Sequence, residues 1–358
     1  MEGIKKLLNR IFIDGLSGMA LGLFSTLIIG TIIKQVGTYV GYANSYIGNV
    51  IILVGSVACA MTCAGIGVGV AAKFKEGPLV TISAAVAGMV GGYASKLMAG
   101  SMIAGSITTL AGPGEPLGAF VAAYIGIEFG HLVAGKTKVD IIVTPVVTIG
   151  TGAALGILIG PPIVKFMTWL GSLINFATGQ QPFIMGILVS VLMGMFLTLP
   201  ISSAAIGISL GLDGIAAGAA VVGCCCQMVG FAVSSYKDNK MGGLIAQGVG
   251  TSMLQIPNIV KKPIIWLPTI ITSAILGPVS TVLLKMTSNA TGSGMGTAGL
   301  VGPLMTWEVM SSAGTPTALL FVEILLMYFV LPAIICTSIC EGMKKLGWIK
   351  NGDMKLKL

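Results

Sequence analysis

The feature that most constrains this chain is a succession of long apolar runs separated by short basic clusters. Apolar segments lie near residues 16–33, 47–72, 78–95, 117–134, 140–163, 182–202, 204–232, 264–284 and 315–338. About 20 apolar residues suffice for one helical crossing of a bilayer. The chain of 358 residues therefore has room for about nine to ten crossings joined by short loops, and for no large soluble domain. Only 9% of its residues are charged, against about 25% in ordinary soluble domains. Too little polar surface exists to cover a soluble body of this size. The expected fold class is an all-α integral membrane protein.

The positive charge has a pattern that fits the same reading. Net charge is +8, and the lysines cluster between apolar runs: Lys5 and Lys6 with Arg10, Lys73 and Lys75, Lys136 and Lys138, Lys237 and Lys240, Lys261 and Lys262, Lys344 and Lys345. Short basic loops on one side of the membrane set orientation, so no nucleic-acid partner is expected. Basic clusters near both ends place both termini in the cytoplasm. The first apolar segment has no small-residue cleavage site and reads as a retained helix.

Three stretches make poor simple spans, near 97–116, 241–258 and 287–308; they are rich in Gly, Ser and Thr. Irregular backbone at membrane depth survives only where protein or a wet cavity satisfies it, so two or more re-entrant hairpins are expected there. Residues 165–178 look amphipathic and suit a helix along the interface. Gly65–Gly69 and Gly207–Gly211 have the small-xxx-small spacing that lets helices pack closely. Residues 141–157 align with 264–280, and 65–92 with 205–230. A two-fold internal repeat follows, about 47–165 and 182–285, inside a single membrane domain covering 1–358. Folds built from such repeats bind solute at the repeat interface, often beside broken helices.

Polar groups inside apolar segments are costly and tend to face cavities. Glu115 sits among two prolines and two glycines in GPGEPLG, a composition that excludes a regular helix. It reads as the tip of a loop dipping into the membrane; a surface turn with a solvated Glu is the alternative. Glu128 and His131 are three residues apart on the next helix and share a face, either lining a cavity or forming an interfacial pair. Asp140 reads as a helix N-cap. Trp307 and Glu308 follow a Gly-rich stretch and Gly302-Pro303. An aromatic ring beside a carboxylate suits a sugar, and an interfacial Trp anchor is the competing explanation. Gln227, Asp213 and Glu323 are polar residues within spans, for which interhelical hydrogen bonding is the plain reading. The seven cysteines lie in apolar stretches with one histidine in the whole chain. They read as small buried hydrophobes, with no metal and no cofactor expected. No HExxH or CxxC motif occurs, and no catalytic residues are assigned.

Over residues 112–150, GPGEPLGAFVAAYIGIEFGHLVAGKTKVDIIVTPVVTIG, the chain resembles the EIIC membrane subunits of the bacterial phosphotransferase system. It is most similar to the divergent branch that includes the perfringolysin-regulator-type membrane proteins. The resemblance implies an EIIC-like transporter fold in the bacterial cell membrane, a homodimer embedded in lipid, and a sugar or sugar-like solute moved by an elevator-like displacement. With no EIIA or EIIB domain fused here, it leaves two expectations open, a separate EIIB protein as partner or a loss of phosphorylation coupling; any phosphotransfer would need such separate partners, and no enzyme activity is assigned to the chain by itself. In glucose-type members a Gly-x-x-Glu-Pro motif supplies a sugar-binding glutamate. Gly112-Pro113-Gly114-Glu115-Pro116 has that spacing, which makes Glu115, flanked by Gly114 and Pro116, the carried-over ligand. A membrane histidine assists in several members; His131 is the one available, and it follows the Glu-Pro motif instead of taking the usual order. Two other functions remain open: a non-transporting sensor that keeps the fold, and an ion-coupled permease using His131 and the glutamates.

Overall fold

The computed structural model describes residues 2–40, 45–101, 103–104, 107–108 and 114–356. The described residues are helical almost throughout. Their β structure is limited to a two-residue ladder, Ile103–Ala104 against Ile107–Thr108, and an isolated bridge between Gly214 and Ser288. Six helices are long and apolar enough to cross a membrane: Lys6–Thr38, Pro116–Val133, Asp140–Thr178, Gly214–Ser234, Pro263–Leu283 and Thr317–Lys345. A seventh forms if Tyr46–Ala60 and Thr62–Lys73, bent by 53° at Met61, make one span. Two shorter apolar helices, Pro78–Gly92 and Pro182–Thr198, complete the apolar segments read from the sequence. At 15 and 17 residues they fall short of the about 20 that a simple crossing takes. The chain is thus an all-α multi-pass membrane protein. Residues 165–178, expected as a separate interfacial helix, are continuous with the 39-residue helix Asp140–Thr178.

Local chemistry explains the helix boundaries. Pro78, Pro116 and Pro182 each open a helix; there the missing N–H costs nothing and the fixed φ already suits the helix. Ser45 caps Tyr46–Ala60 by accepting the Gly48 amide at 3.0 Å. The stretch 241–258 is not one continuous helix. Lys240 leaves helical geometry with φ 53°, a π-helical turn covers Ala246–Gly250, and a 3₁₀ turn covers Ser252–Gln255. The stretch 287–308 is broken too: Ala290–Ser293 is a four-residue helix, and Leu300 at φ 60° precedes the helix Val301–Ser312. Eight residues of 97–116, Gly112 and Pro113 among them, lie outside the described residues.

The chain forms two compact units, Met1–Phe166 and Met167–Leu358. In the first, Leu16–Leu23 crosses Thr62–Lys73 where Gly22 faces Gly65 and Gly18 faces Gly69. Two glycine pairs, each spaced by four, therefore meet backbone to backbone, and Gly65–Gly69 plays the role its spacing indicates. Gly91 meets Gly118 in the same way between Pro78–Gly92 and Pro116–Val133. Gly207 packs on Ser293, whereas Gly211 at φ 59° sits in a turn with open space around it.

The second unit is organised around Gly214–Ser234, which is buried along nearly its whole length. Pro182–Thr198, Leu267–Pro278 and Leu331–Lys345 pack around it. Val221, Val222, Cys225 and Cys226 join Leu276, Met286, Met327 and Tyr328 in one apolar cluster. The Tyr328 hydroxyl, fully buried, is paired with Thr306 Oγ1 at 2.8 Å. Gly223 lies directly against the backbone of Ser190, so any side chain there would force the two helices apart. Gly223→Leu is expected to destabilise the protein by at least about 2 kcal/mol through overpacking, read as a lowered midpoint in thermal or chemical unfolding.

The C-terminal residues fold back onto the broken stretch, and Lys262 Nζ lies 2.6 Å from Asp353 Oδ2. Burial opposes ionisation of Asp353. Lys262 and the Lys350 amide outweigh it and hold the carboxyl below the ordinary aspartate range. A carboxyl with a depressed pKa contributes stability that is complete above the free-aspartate value and lost as pH falls through the depressed one. The anisotropy of a fluorophore at exposed Asn351 should therefore stay flat from about pH 8 to 5 and fall only below about pH 4.

Candidate functional site

Glu115 stands where the chain enters the helix Pro116–Val133. Its amide donates to the Gly92 carbonyl at 2.8 Å, tying it to the end of Pro78–Gly92. Gly114 before it has φ 73°, and a Cβ there would approach Cys63 Sγ to 2.5 Å and Tyr93 Cε2 to 3.0 Å. Only glycine both adopts that backbone angle without strain and fits the space. Pro116 is buried at the first helical position. The side chain of Glu115 does not cap the helix, and its Oε1 is buried with no hydrogen-bond partner among the described residues.

Glu128 and His131 lie toward the far end of the same helix. With a rise of about 1.5 Å per residue, Glu128 is about 20 Å from Glu115 along the axis, too far for one small solute to touch both. The pair instead belongs to an ionic cluster. Arg10 Nε donates to Glu128 Oε1 at 2.6 Å, and Arg10 Nη2 lies 3.6 Å from Glu76 Oε1. His131 Nδ1 is 2.9 Å from Glu76 Oε2. The Arg10 guanidinium also sits 4.0 Å from the Phe74 ring centroid. The Glu76 side chain is 4% exposed, whereas that of His131 is 63% exposed. The chain's one arginine and one histidine thus converge on a single buried carboxylate. Sequence reasoning placed Arg10 among basic loop residues and passed over Glu76. The signal available was that a lone arginine in a lysine-rich chain suits a site needing a planar fork.

In the second unit, Gln227 is fully buried. Its Oε1 accepts from Trp266 Nε1 at 2.8 Å and from Thr269 Oγ1 at 2.8 Å. Thr198 Oγ1 lies 3.3 Å from that oxygen and 2.8 Å from Ser252 Oγ, in the broken stretch. The Nε2 donors of Gln227 have no partner among the described residues. Trp266, Thr198, Thr269 and Ser252 were not singled out from the sequence. Trp307 is half-buried against the apolar cluster, while Glu308 beside it is exposed, because successive helical residues point about 100° apart. An apolar groove also runs between Leu21–Thr26 and Met61–Lys73, lined by residues such as Leu21, Met61, Ala64 and Val68. None of the residues expected from the sequence lines it. Among the described residues no three His, Cys, Asp or Glu side chains gather as metal ligands would.

The Arg10 cluster generates its own test. Arg10→Ala leaves Glu76 buried beside a histidine that bears charge only when protonated, and should cost about 1–3 kcal/mol of stability. Arg10→Lys should recover less than half of it, since an ammonium cannot serve Glu76 and Glu128 with one fork. Unfolding midpoints of the two variants, side by side, measure this.

Comparison with known proteins agrees with the fold. None of the curated proteins matches the chain. The family model described as "Phosphotransferase system, EIIC" matches residues 13–356. That match takes in both compact units, the helix led by Glu115 and both broken stretches of the second unit, and the chain belongs to the phosphotransferase-system EIIC family of membrane permease subunits.

Proposed function

We propose that this EIIC-family chain binds a sugar or sugar-like solute and carries it across the bacterial cell membrane. The observation that carries the reading is the buried Oε1 of Glu115, which has no hydrogen-bond partner among the described residues, in its Gly114-Glu115-Pro116 setting. A carboxylate oxygen withdrawn from water is costly unless a donor reaches it. Solute hydroxyls are suitable donors, and their bonds to a carboxylate are charge-assisted. Gly114 and Pro116 hold the carboxylate in position. Within the second unit, taken by itself, the Gln227 amide donors, unpartnered among the described residues, suit a hydroxyl oxygen. Glu128 and His131, tied to Arg10 and Glu76, act in coupling helix positions to the solute.

In this reading the protein works as a homodimer in lipid and moves its solute by an elevator-like displacement. Both termini face the cytoplasm, where a separate EIIB protein phosphorylates the solute. The division into units near residue 166 falls close to the boundary between stretches 47–165 and 182–285, which supports an internal repeat. Broken helices at 241–258 and 287–308 support re-entrant segments beside the solute path.

A thermal-shift screen of detergent-purified protein against sugars, polyols, sugar acids and nucleosides tests the proposal. A ligand at about 100 times its Kd raises native stability by about 2.7 kcal/mol. Glu115→Gln keeps the side-chain volume and removes the charge, so the variant should fold and lose the shift. An undiminished shift in Glu115→Gln overturns the assignment of Glu115.

A further inference from the structure

The apolar groove of the first unit plays no part in the solute reading. It encloses about 610 Å³ and follows Thr62–Lys73 away from the bend at Met61. Small residues recur along it at helical spacing, Ala64, Gly65, Gly69 and Ala72, so they form one stripe on the helix. Met61 and Val68, 46% and 40% exposed, stand beside the stripe. Leu21 and Ala85 line the groove from the two helices packed on Thr62–Lys73. Ser25 Oγ donates to the Leu21 carbonyl at 2.9 Å, and Thr26 Oγ1 to the Gly22 carbonyl at 2.8 Å. Both hydroxyl protons are thus committed to the backbone of their own helix. Among the described residues lining the groove, Lys73 alone is charged. It ends the helix, and exposed Lys75 follows in left-handed geometry at φ 59°. Glu76, next in the chain, does not offset these lysines at the surface: its side chain is 4% exposed and faces Arg10.

We infer that this groove binds an anionic phospholipid, with one acyl chain along Ala64, Gly65, Val68 and Gly69 and the phosphate headgroup at Lys73 and Lys75. The inference is independent of the solute reading and of Glu115. Length supports it. From Met61 to Ala72 the helix rises about 17 Å at about 1.5 Å per residue, and one leaflet contributes about 15 Å, half of a hydrocarbon core of about 30 Å. The groove therefore has the depth of one leaflet, with its cation at one end and an apolar bend at the other. Charge supports it as well. Lysines at a membrane surface attract anionic headgroups, and basic pockets between spanning helices hold such headgroups in place. A polyhydroxy solute suits the groove poorly, because its walls offer no side-chain donor before Lys73 and would strip hydroxyls of water without replacing it. A resident chain also has structural work to do. It lies beside the crossings of Gly22 with Gly65 and Gly18 with Gly69, where it completes dispersion contacts that small residues leave open.

The test uses the full chain in detergent, with phosphatidylglycerol and phosphatidylcholine of identical acyl chains at matched concentrations. Binding is read by native mass spectrometry and by the unfolding midpoint. The wild-type protein should hold phosphatidylglycerol at least about fivefold more tightly, the effect of one lysine near an anionic headgroup, and its midpoint should rise with that lipid. Lys73→Gln should lower phosphatidylglycerol affinity about fivefold and leave phosphatidylcholine affinity unchanged. Val68→Trp fills the groove from an exposed position and should weaken both lipids at least about tenfold, the loss of two or more buried methylenes. Ala72→Phe, also exposed, gives the same readout at the lysine end if Val68→Trp does not fold. Glycerol phosphate, an anion without acyl chains, should leave the midpoint unchanged. Equal affinity for the two lipids, a preference unaltered in Lys73→Gln, undiminished lipid binding by the folded groove-filling variants, or a glycerol phosphate shift as large as the lipid's would each overturn the inference. So would groove-filling variants that bind lipid normally and lose self-association, which would give the groove to a second copy of the chain.

Discussion

Hydrocarbon offers no hydrogen-bond partner, so every backbone amide and carbonyl at membrane depth must be satisfied within the protein. That requirement selects helices for nearly all of this chain, and it sets the terms on which they pack. Lipid tails are as apolar as leucine, so helices gain little from the hydrophobic effect by meeting one another. They gain from close contact, and close contact needs small residues. Gly22 on Gly65, Gly18 on Gly69, Gly91 on Gly118 and Gly223 on Ser190 are where this is realised. Broken stretches follow from the same rule. Ser252 and Gln255 stand in irregular backbone that is buried in protein, where polar side chains supply what regular helix geometry no longer does.

The parts of the fold legible in the sequence were those with local causes. Apolar run length announced the spans. Glycine spaced by four announced the Gly65–Gly69 contact, although not its partner pair. Gly, Ser and Thr content announced the breaks at 241–258 and 287–308. The illegible parts depend on residues far apart in the chain. Glu76 gives no local sign that Arg10 and His131 will meet it, because they lie 66 and 55 positions away in the chain. Trp307 and Glu308 looked like a pair from adjacency, yet helical geometry turns one toward the core and the other outward.

Charged groups here are arranged by depth of burial as much as by sign. Glu76, nearly fully buried, has both a guanidinium and an imidazole. Glu115 and Gln227 keep polar atoms that have no partner among the described residues, in buried surroundings. Such atoms are expensive to maintain in a membrane fold. A family whose members pass solutes through the bilayer gives a physical reason for them to persist.

The position of Glu76 also has a mechanical consequence. Its carboxylate lies in the turn between Thr62–Lys73 and Pro78–Gly92, with Arg10 on the first helix and His131 on Pro116–Val133. Displacing any of these segments along another disturbs contacts made by the other two, because all three meet at one carboxylate. The cluster acts as a rivet at one end of the unit and the glycine crossings as a hinge-free seam along it. The segments that carry Arg10, Glu76, Glu128 and His131 are thereby cross-linked at one point of the first unit, so a displacement of any one is felt by the others.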